Sequence, residues 1–328
     1  MSMSRVQLRS GIEAEFCALH ERRDPLSEEE VVRFLELEGE ELAALYRAAD
    51  GVRRHHVGDE IFIRGIFEFS NFCRLSCHYC GIRREMQGVK RYRIPPEELI
   101  EWAVRAGAQG CGTVVLQSRD DPWYTLPIIA RILSEIKERA GLAITLSIGE
   151  RPYEELLAFR RAGCDRFLLR FETSDRGLFE RLHPDDDFGG RIRCIHDIRR
   201  AGIQLGSGFM VGLPGAGMVG IARDILFTTS LRLDMIGIGP FIPHPVSSLA
   251  EAGLLENREV YFKTLAILRL LNPCAHIPAT TAYDIIFPGG RDLALKRGAN
   301  VFMANLMPQK FRKHYHLYPG KPGVDEDG

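Results

Sequence analysis

Cys73, Cys77 and Cys80 stand in close succession as C-x3-C-x2-C, within Phe69-Ser-Asn-Phe-Cys73-Arg-Leu-Ser-Cys77-His-Tyr79-Cys80-Gly81. Cysteine thiolate is the usual protein ligand of an iron–sulfur cluster. Three thiolates at this spacing can hold three irons of a 4Fe–4S cube. No fourth cysteine lies close by, which leaves the fourth iron open to a small molecule. Zinc also takes thiolates, but a structural zinc is normally closed by four protein ligands. The nearest spare donor, His78, sits between two of the cysteines. The cluster is the stronger reading, and a zinc knuckle is its alternative.

These thiols need a frame. Residues 1–58 carry no strand signal; Ser27-Glu-Glu-Glu-Val-Val-Arg-Phe-Leu-Glu-Leu opens with an N-cap and an acidic first turn, and 40–50 repeats the trend. This predicts a helical extension over 1–58 that covers one end of a main domain. From Glu60 onward, short β-branched runs alternate with amphipathic stretches. Strands are expected at Ile61–Phe69, Thr113–Gln117, Ala143–Ser147, Arg166–Arg170, Leu205–Val211, Met235–Ile238, His276–Thr280 and Asn300–Met303. Helices are expected between them, several ending at Gly107, Gly141, Gly163, Gly202 or Gly298. Such alternation implies parallel strands with right-handed crossovers. Eight strands predict a full (β/α)8 TIM-type barrel over 59–322, an α/β fold, followed by a frayed tail at 323–328. The first strand runs into the cysteine loop, which places the loop at the C-terminal rim, where such barrels keep their chemistry.

Polar groups at the other strand ends are then candidates to line that rim. They are Gln117 and Ser118, Thr145 with Ser147 and Glu150, Arg170 and Glu172, Thr280 and Thr281, and Asn305. Arginine pairs bidentately with carboxylate, and glutamate accepts from ammonium or hydroxyl groups, so the set suits a zwitterionic ligand. Singly, each is as well explained as a tether. Gly212-Leu-Pro-Gly215 lacks the lysine of a phosphate loop and reads as a turn opening a helix. His314-Tyr315-His316-Leu-Tyr318 is expected to lie over the barrel top.

Bulk composition excludes several classes. The 328 residues are 45% hydrophobic and 27% charged with net charge −1, so nothing draws the chain to nucleic acid or an anionic membrane. The start is polar, and no apolar run approaches the ~20 residues of a membrane span. Of eight cysteines, Cys17, Cys111, Cys164, Cys194 and Cys274 are scattered singly, which predicts a reducing, cytoplasmic setting with those five as small core residues.

The cysteine loop, with an aromatic residue before its last cysteine, resembles that of radical S-adenosylmethionine (SAM) enzymes. Longer strings narrow the likeness: Phe67 through Arg84, Val115-Leu-Gln117-Ser118, Thr145-Leu-Ser-Ile-Gly149-Glu150, Leu169-Arg170-Phe-Glu172-Thr173, Gly237-Ile-Gly-Pro-Phe-Ile-Pro-His-Pro245, Pro278-Ala-Thr-Thr-Ala282, Pro288-Gly-Gly-Arg291 and Gly298-Ala-Asn300. Over about residues 60–322 the chain resembles the HydE family of radical SAM maturases of FeFe-hydrogenases. Methylornithine synthase and biotin synthase share the loop.

The resemblance implies that Cys73, Cys77 and Cys80 bind one 4Fe–4S cluster, whose open iron chelates SAM. One electron from a low-potential donor then yields a 5′-deoxyadenosyl radical. Tyr79 lies toward the adenine, Gln117 and Ser118 stand for the amino-group motif, and Glu172 and Arg191 contact SAM. Arg170, Thr145, Thr280, Thr281, Met235 and Tyr315 line an inner cavity. The implied substrate is a cysteine-bound iron dicarbonyl cyanide made by the partner HydG. The product moves toward the diiron subsite of the hydrogenase H-cluster by way of the scaffold GTPase HydF.

Two departures stand out. No cysteine follows Cys274, where some members carry three more, so no accessory C-terminal cluster is expected. Thr281-Ala-Tyr283-Asp284 is bulkier than expected near the cavity, which suits a paralogue with another substrate. The alternatives are a carbon-skeleton mutase acting on an amino acid, like methylornithine synthase; sulfur insertion, as in biotin synthase; and a cluster-free binding module.

Overall fold

Eight short runs of β-branched and aliphatic residues become eight parallel strands of one sheet. The structure is a computed structural model that describes residues 11–22, 24–315 and 317–320. Three helices come first: α1 (Gly11–Cys17), α2 (Glu28–Glu36) and α3 (Gly39–Val57). Ser27 caps α2, its hydroxyl accepting from the Glu30 N–H at 3.2 Å while the Glu30 carboxylate accepts from the Ser27 N–H at 2.8 Å. The barrel follows as β1 (Phe62–Glu68), α4 (Pro96–Ala108), β2 (Thr113–Gln117), α5 (Leu126–Ala140), β3 (Ala143–Ser147), α6 (Tyr153–Arg161) and β4 (Arg166–Leu168). It continues with α7 (Arg176–Leu182), α8 (Phe188–Arg200), β5 (Gln204–Ser207), β6 (Met210–Val211), α9 (Gly217–Ser230), β7 (Met235–Ile236) and β8 (Gly239–Pro240). Last come α10 (Glu259–Leu271), β9 (Pro278–Ala279), α11 (Ala282–Ile286), α12 (Gly290–Leu295), β10 (Val301–Asn305) and α13 (Gln309–Arg312).

The strand order is β7-β5-β4-β3-β2-β1-β10-β9, every pairing parallel. The two edges meet where Ile236 N–H donates to His276 O at 2.9 Å and His276 N–H to Asp234 O at 2.9 Å. The sheet is therefore a nearly closed (β/α)8 barrel, as the alternation predicts.

The expected strand 205–211 splits into β5 and β6, and β6 pairs with β8 above the barrel. The break falls at Gly208 (φ +156°), where a Cβ would come within 2.3 Å of Gly237 O. Only glycine lets the two segments pass so closely. Helices α7, α11 and α13 went unpredicted, being too short to show a helical period. Gly107 lies within α4 rather than at its end.

The extension packs along the barrel's flank, against α9 and α10, rather than across an end. Beneath it α10 is buried on every face from Val260 to Leu270. The Lys263 ammonium donates to Leu35 O at 3.0 Å, and Tyr46 O–H to Glu259 at 2.6 Å, which ties the extension to that helix. Residues 1–10, the tail 323–328 and His316 lie outside the described residues. Of the single cysteines, Cys164 and Cys194 are core residues as expected; Cys17 and Cys111 are half-buried, and Cys274 is exposed. No helix of the described residues is long and apolar enough to cross a membrane.

Candidate active site: the cysteine loop and the barrel cavity

The loop from β1 to α4 carries the three thiols and is held from within by side chains. Asn71 accepts the Tyr92 N–H at 2.7 Å and donates to Lys90 O at 3.0 Å and His314 O at 2.7 Å. Arg91 donates to Asn71 O, Ile82 O and Arg83 O, so one guanidinium satisfies three carbonyls of the turn. Arg93 pairs with buried Asp121 at 2.8 and 2.9 Å, and Ser70 O–H donates to the same carboxylate at 2.6 Å. Backbone bonds complete the frame: Cys80 N–H to Cys77 O at 3.0 Å, Arg74 N–H to Asp120 O at 3.0 Å.

Cys73, Cys77 and Cys80 all face one cavity of about 350 Å³ in the barrel interior. Burial pushes the Cys73 and Cys77 thiols above the usual range, and the neighbouring sulfurs add to it. Among the described residues no three His, Cys, Asp or Glu side chains converge as they would about a single ion. A cube-shaped cluster instead takes each thiolate at a separate corner.

Beside the loop, Glu172 and Arg191 reach the same cavity. Glu172 is a non-glycine residue at φ +66°, a conformation that costs energy and persists only where its surroundings impose it. Its N–H donates to Gly208 O at 3.1 Å and its carbonyl accepts from Met210 N–H at 3.0 Å, so backbone bonds fix it on both sides. The result is a buried carboxylate aimed inward, with Arg170 Nη2 at 3.1 Å from Oε2 but out of line for a hydrogen bond. Arg191, on α8, is 6% exposed and held by three neighbours: Glu150, Asp186 and, at 2.7 Å, Arg170 O. Those anions raise its pKa against the opposing effect of burial, while burial raises that of Glu150.

Gln117 and Ser118 end β2 at the cavity wall. Gln117 Nε2 donates to the Tyr315 hydroxyl at 3.2 Å, and Ser118 O–H to Arg119 O at 2.7 Å. Deeper, Thr145, Arg170, Thr280, Thr281 and Met235 line the cavity as expected. Among the described residues the buried hydroxyls of Thr145 and Thr280 have no partner, so they are set to bond a ligand. Tyr315 does not line it: wholly buried, it stands behind Gln117 and Arg119, whose N–H groups it accepts. From this end of the chain it is Tyr318 that lines the cavity, sharing a 2.7 Å bond with Thr281. Tyr283 adds no bulk either; it lies in α11, fully buried and stacked on Phe262 at 5.1 Å, because the seventh strand stops at Ala279.

Among the further lining residues that were not singled out from sequence are Arg64, Glu68, Arg119, His183 and His276. Arg64 sits near the start of β1 with no carboxylate partner among the described residues, its Nη1 3.1 Å from Met235 Sδ. Burial, with Arg166 nearby, brings its pKa down to about 10, and burial with the same arginines brings His276 to about 4. The inner end of the cavity is thus cationic. The inward alternation 62, 64, 66, 68 along β1 was the available signal for Arg64 and Glu68.

A parallel barrel whose first strand delivers three cluster-spaced cysteines to an inward cavity defines a radical SAM fold. Consistently, the family model described as Radical SAM superfamily matches residues 67–225. The chain is 47% identical to the [FeFe] hydrogenase maturase subunit HydE of Thermotoga maritima, over 86% of this chain and 81% of that protein. It is 28% identical to 3-methylornithine synthase of Methanosarcina acetivorans, over 86% and 80%. Among solved structures, a methylornithine synthase superposes at TM-score 0.80 with 24% identity, covering 97% of this chain and 90% of that one. A HydG maturase superposes at 0.79 with 17% identity, covering 96% and 74%. The chain belongs to the HydE family of radical SAM enzymes, a family that implies a 4Fe–4S cluster and SAM. The three thiols and the inward Glu172 fit those groups.

Proposed function

We propose that this radical SAM enzyme matures an FeFe-hydrogenase by acting on a cysteine-bound iron dicarbonyl cyanide supplied by HydG. The product goes toward the diiron subsite of the H-cluster through the scaffold GTPase HydF. The observation that carries the reading is the cavity's lining: a cationic inner end with unpartnered hydroxyls, below the cysteine loop. When bound by Cys73, Cys77 and Cys80, the cluster with SAM supplies an adenosyl radical at the cavity's mouth.

The chain's own residues do the rest. Glu172, and Gln117 with Ser118, orient the cofactor's polar groups; Tyr79 walls its adenine side. Arg170 and the Thr145, Thr280 and Thr281 hydroxyls take the substrate carboxylate. Arg64 offsets negative charge further in. The barrel wall excludes water, so these charge-assisted bonds act at reduced dielectric. A single cluster, with no accessory C-terminal one, is part of the proposal, as is a low-potential donor.

Anaerobic reconstitution, dithionite reduction and assay of 5′-deoxyadenosine release from SAM, alone and with the HydG product, test it. Release that responds to the complex supports the maturase. Release with an amino acid alone supports a mutase like methylornithine synthase. Release indifferent to the complex points to another substrate, and no iron with no release returns the thiols to zinc.

A further inference from the structure

One short stretch, 182–186, grips the cysteine loop from the side. Leu182 O accepts the His78 N–H at 2.9 Å, and Asp185 Oδ2 accepts the Ser76 N–H at 2.7 Å. Between them His183 Nε2 lies 2.9 Å from the Tyr79 hydroxyl. Asp186 binds Arg191, so the stretch also touches a second residue of the cavity lining.

The polarity of the His183 contact can be deduced. Its Nδ1 lies 2.9 Å from Phe179 O, and a carbonyl only accepts, so Nδ1 carries the proton. Nε2 then presents a lone pair and the Tyr79 O–H must donate. Burial brings the imidazole pKa down to about 4, so the arrangement persists through neutral pH. His183 is 2% exposed and stacks on Phe179 with ring centroids 4.1 Å apart, which leaves it no freedom to turn. Tyr79 packs on an apolar cluster of Leu178, Leu182, Met210, Leu213 and Phe241. A phenylalanine would fill that space equally well; the hydrogen bond adds a direction to the ring.

We propose that His183 is a positioning residue: its Nε2 holds the Tyr79 hydroxyl and so fixes the ring that walls the cavity between Cys77 and Cys80. The inference rests on the cavity being the SAM space, as the proposed function has it. It assigns the orienting of that wall to α7 and the turn after it, outside the cysteine loop itself.

The test uses reconstituted holoprotein in five forms: wild type, His183→Phe, His183→Gln, Tyr79→Phe and the His183→Phe/Tyr79→Phe double variant. The readouts are KM for SAM and kcat in 5′-deoxyadenosine release, with electron paramagnetic resonance of the reduced cluster with and without SAM. His183→Phe is expected to raise KM for SAM about tenfold and shift the SAM-bound spectrum, with iron content unchanged and kcat within about threefold. His183→Gln, whose amide can donate to Phe179 O and accept from Tyr79, is expected to restore KM to within about threefold. Tyr79→Phe should reproduce the His183→Phe effect, and the double variant should be no worse than either. Wild-type KM and spectrum in Tyr79→Phe overturn the proposal whether or not His183→Phe folds, and so do additive effects in the double variant. Nucleoside release by the wild type separates the two claims: without it the functional reading fails and takes this one with it.

Discussion

Replacing Arg170 separates the substrate side of the cavity from the cofactor side. The guanidinium stands 3.1 Å from Glu172 Oε2 and is about a third exposed, so only part of its donor capacity is used within the protein. The remaining N–H groups face the cavity, where a substrate carboxylate would take them. Alanine does two things at once: it removes those donors and strips Glu172, itself buried, of the only cation among the described residues within ion-pair distance. Lysine keeps a positive charge for Glu172 but loses the planar fork. A lost charge-assisted hydrogen bond is worth about 1.5–3 kcal/mol, or about 10- to 150-fold in binding.

Arg170→Lys is therefore expected to raise KM for the iron complex by at least about tenfold while KM for SAM stays within about threefold. Arg170→Ala should show the same loss on the complex with a further, smaller loss on SAM through Glu172. The assay is nucleoside release at saturating complex with SAM varied, then the reverse. Should Arg170→Lys bind the complex as the wild type does and lose affinity for SAM, Arg170 belongs to the cofactor and the substrate assignment falls.

Three further outcomes are expected. Asp224 is 1% exposed; burial raises its carboxyl from 3.8 to about 6 against donors from Thr173 and Ser174. With the folded pKa raised, the native state binds the proton more tightly, so stability falls as pH climbs from about 4 to about 6, by at most about 3 kcal/mol, and is flat above. Asp224→Asn keeps the accepting Oδ1, places an amide where Oδ2 has no partner, and should remove that slope from urea midpoints of the cluster-free chain; an unchanged slope refutes it. Arg191→Met strands Glu150 and Asp186, at a cost of roughly 3–5 kcal/mol. For 328 residues that is about 4–7 °C in thermal midpoint, and an unmoved midpoint would show the triad to be neutral. Cys77→Ser should lose the iron and the visible absorption of the reconstituted protein while far-ultraviolet dichroism is kept; retained iron would mean the three thiols are not a single ligand set.

Much of this was legible in the sequence, and what was not has identifiable causes. The strands Thr113–Gln117 and Ala143–Ser147 and the helix Leu126–Ala140 match the structure residue for residue, because each is a strong period bounded by glycine or proline. The cysteine loop is contiguous, so its spacing survives without a fold. Tyr315 and Tyr318 could not be told apart, since the chain after β10 has no regular period to say which ring faces in. Tyr283 was misplaced for a related reason: Pro278 starts a strand of two residues, and the chain turns into α11 sooner than the apolar run suggests.

The arginine of β1 carries the wider point. In a parallel barrel a strand is buried on both faces, so an apolar run gives no hint which residues point to the centre. A charged residue within the run does. Arg64 and Glu68 differ by four positions and so share a face, and β1 must aim that face inward, since an outward ion would be covered by helices. Along one face of one strand the charge then changes sign, from Arg64 at the strand's start to Glu68 below the cysteine loop. Asn305 Nδ2 donates to Glu68 at 3.0 Å and fixes the acidic end, while no carboxylate among the described residues fixes Arg64. An unpaired buried cation is costly unless something anionic meets it. The strand that leads into the cysteine loop thus also leaves a charge that an anionic ligand would neutralise, and under the proposed function that ligand would be the substrate.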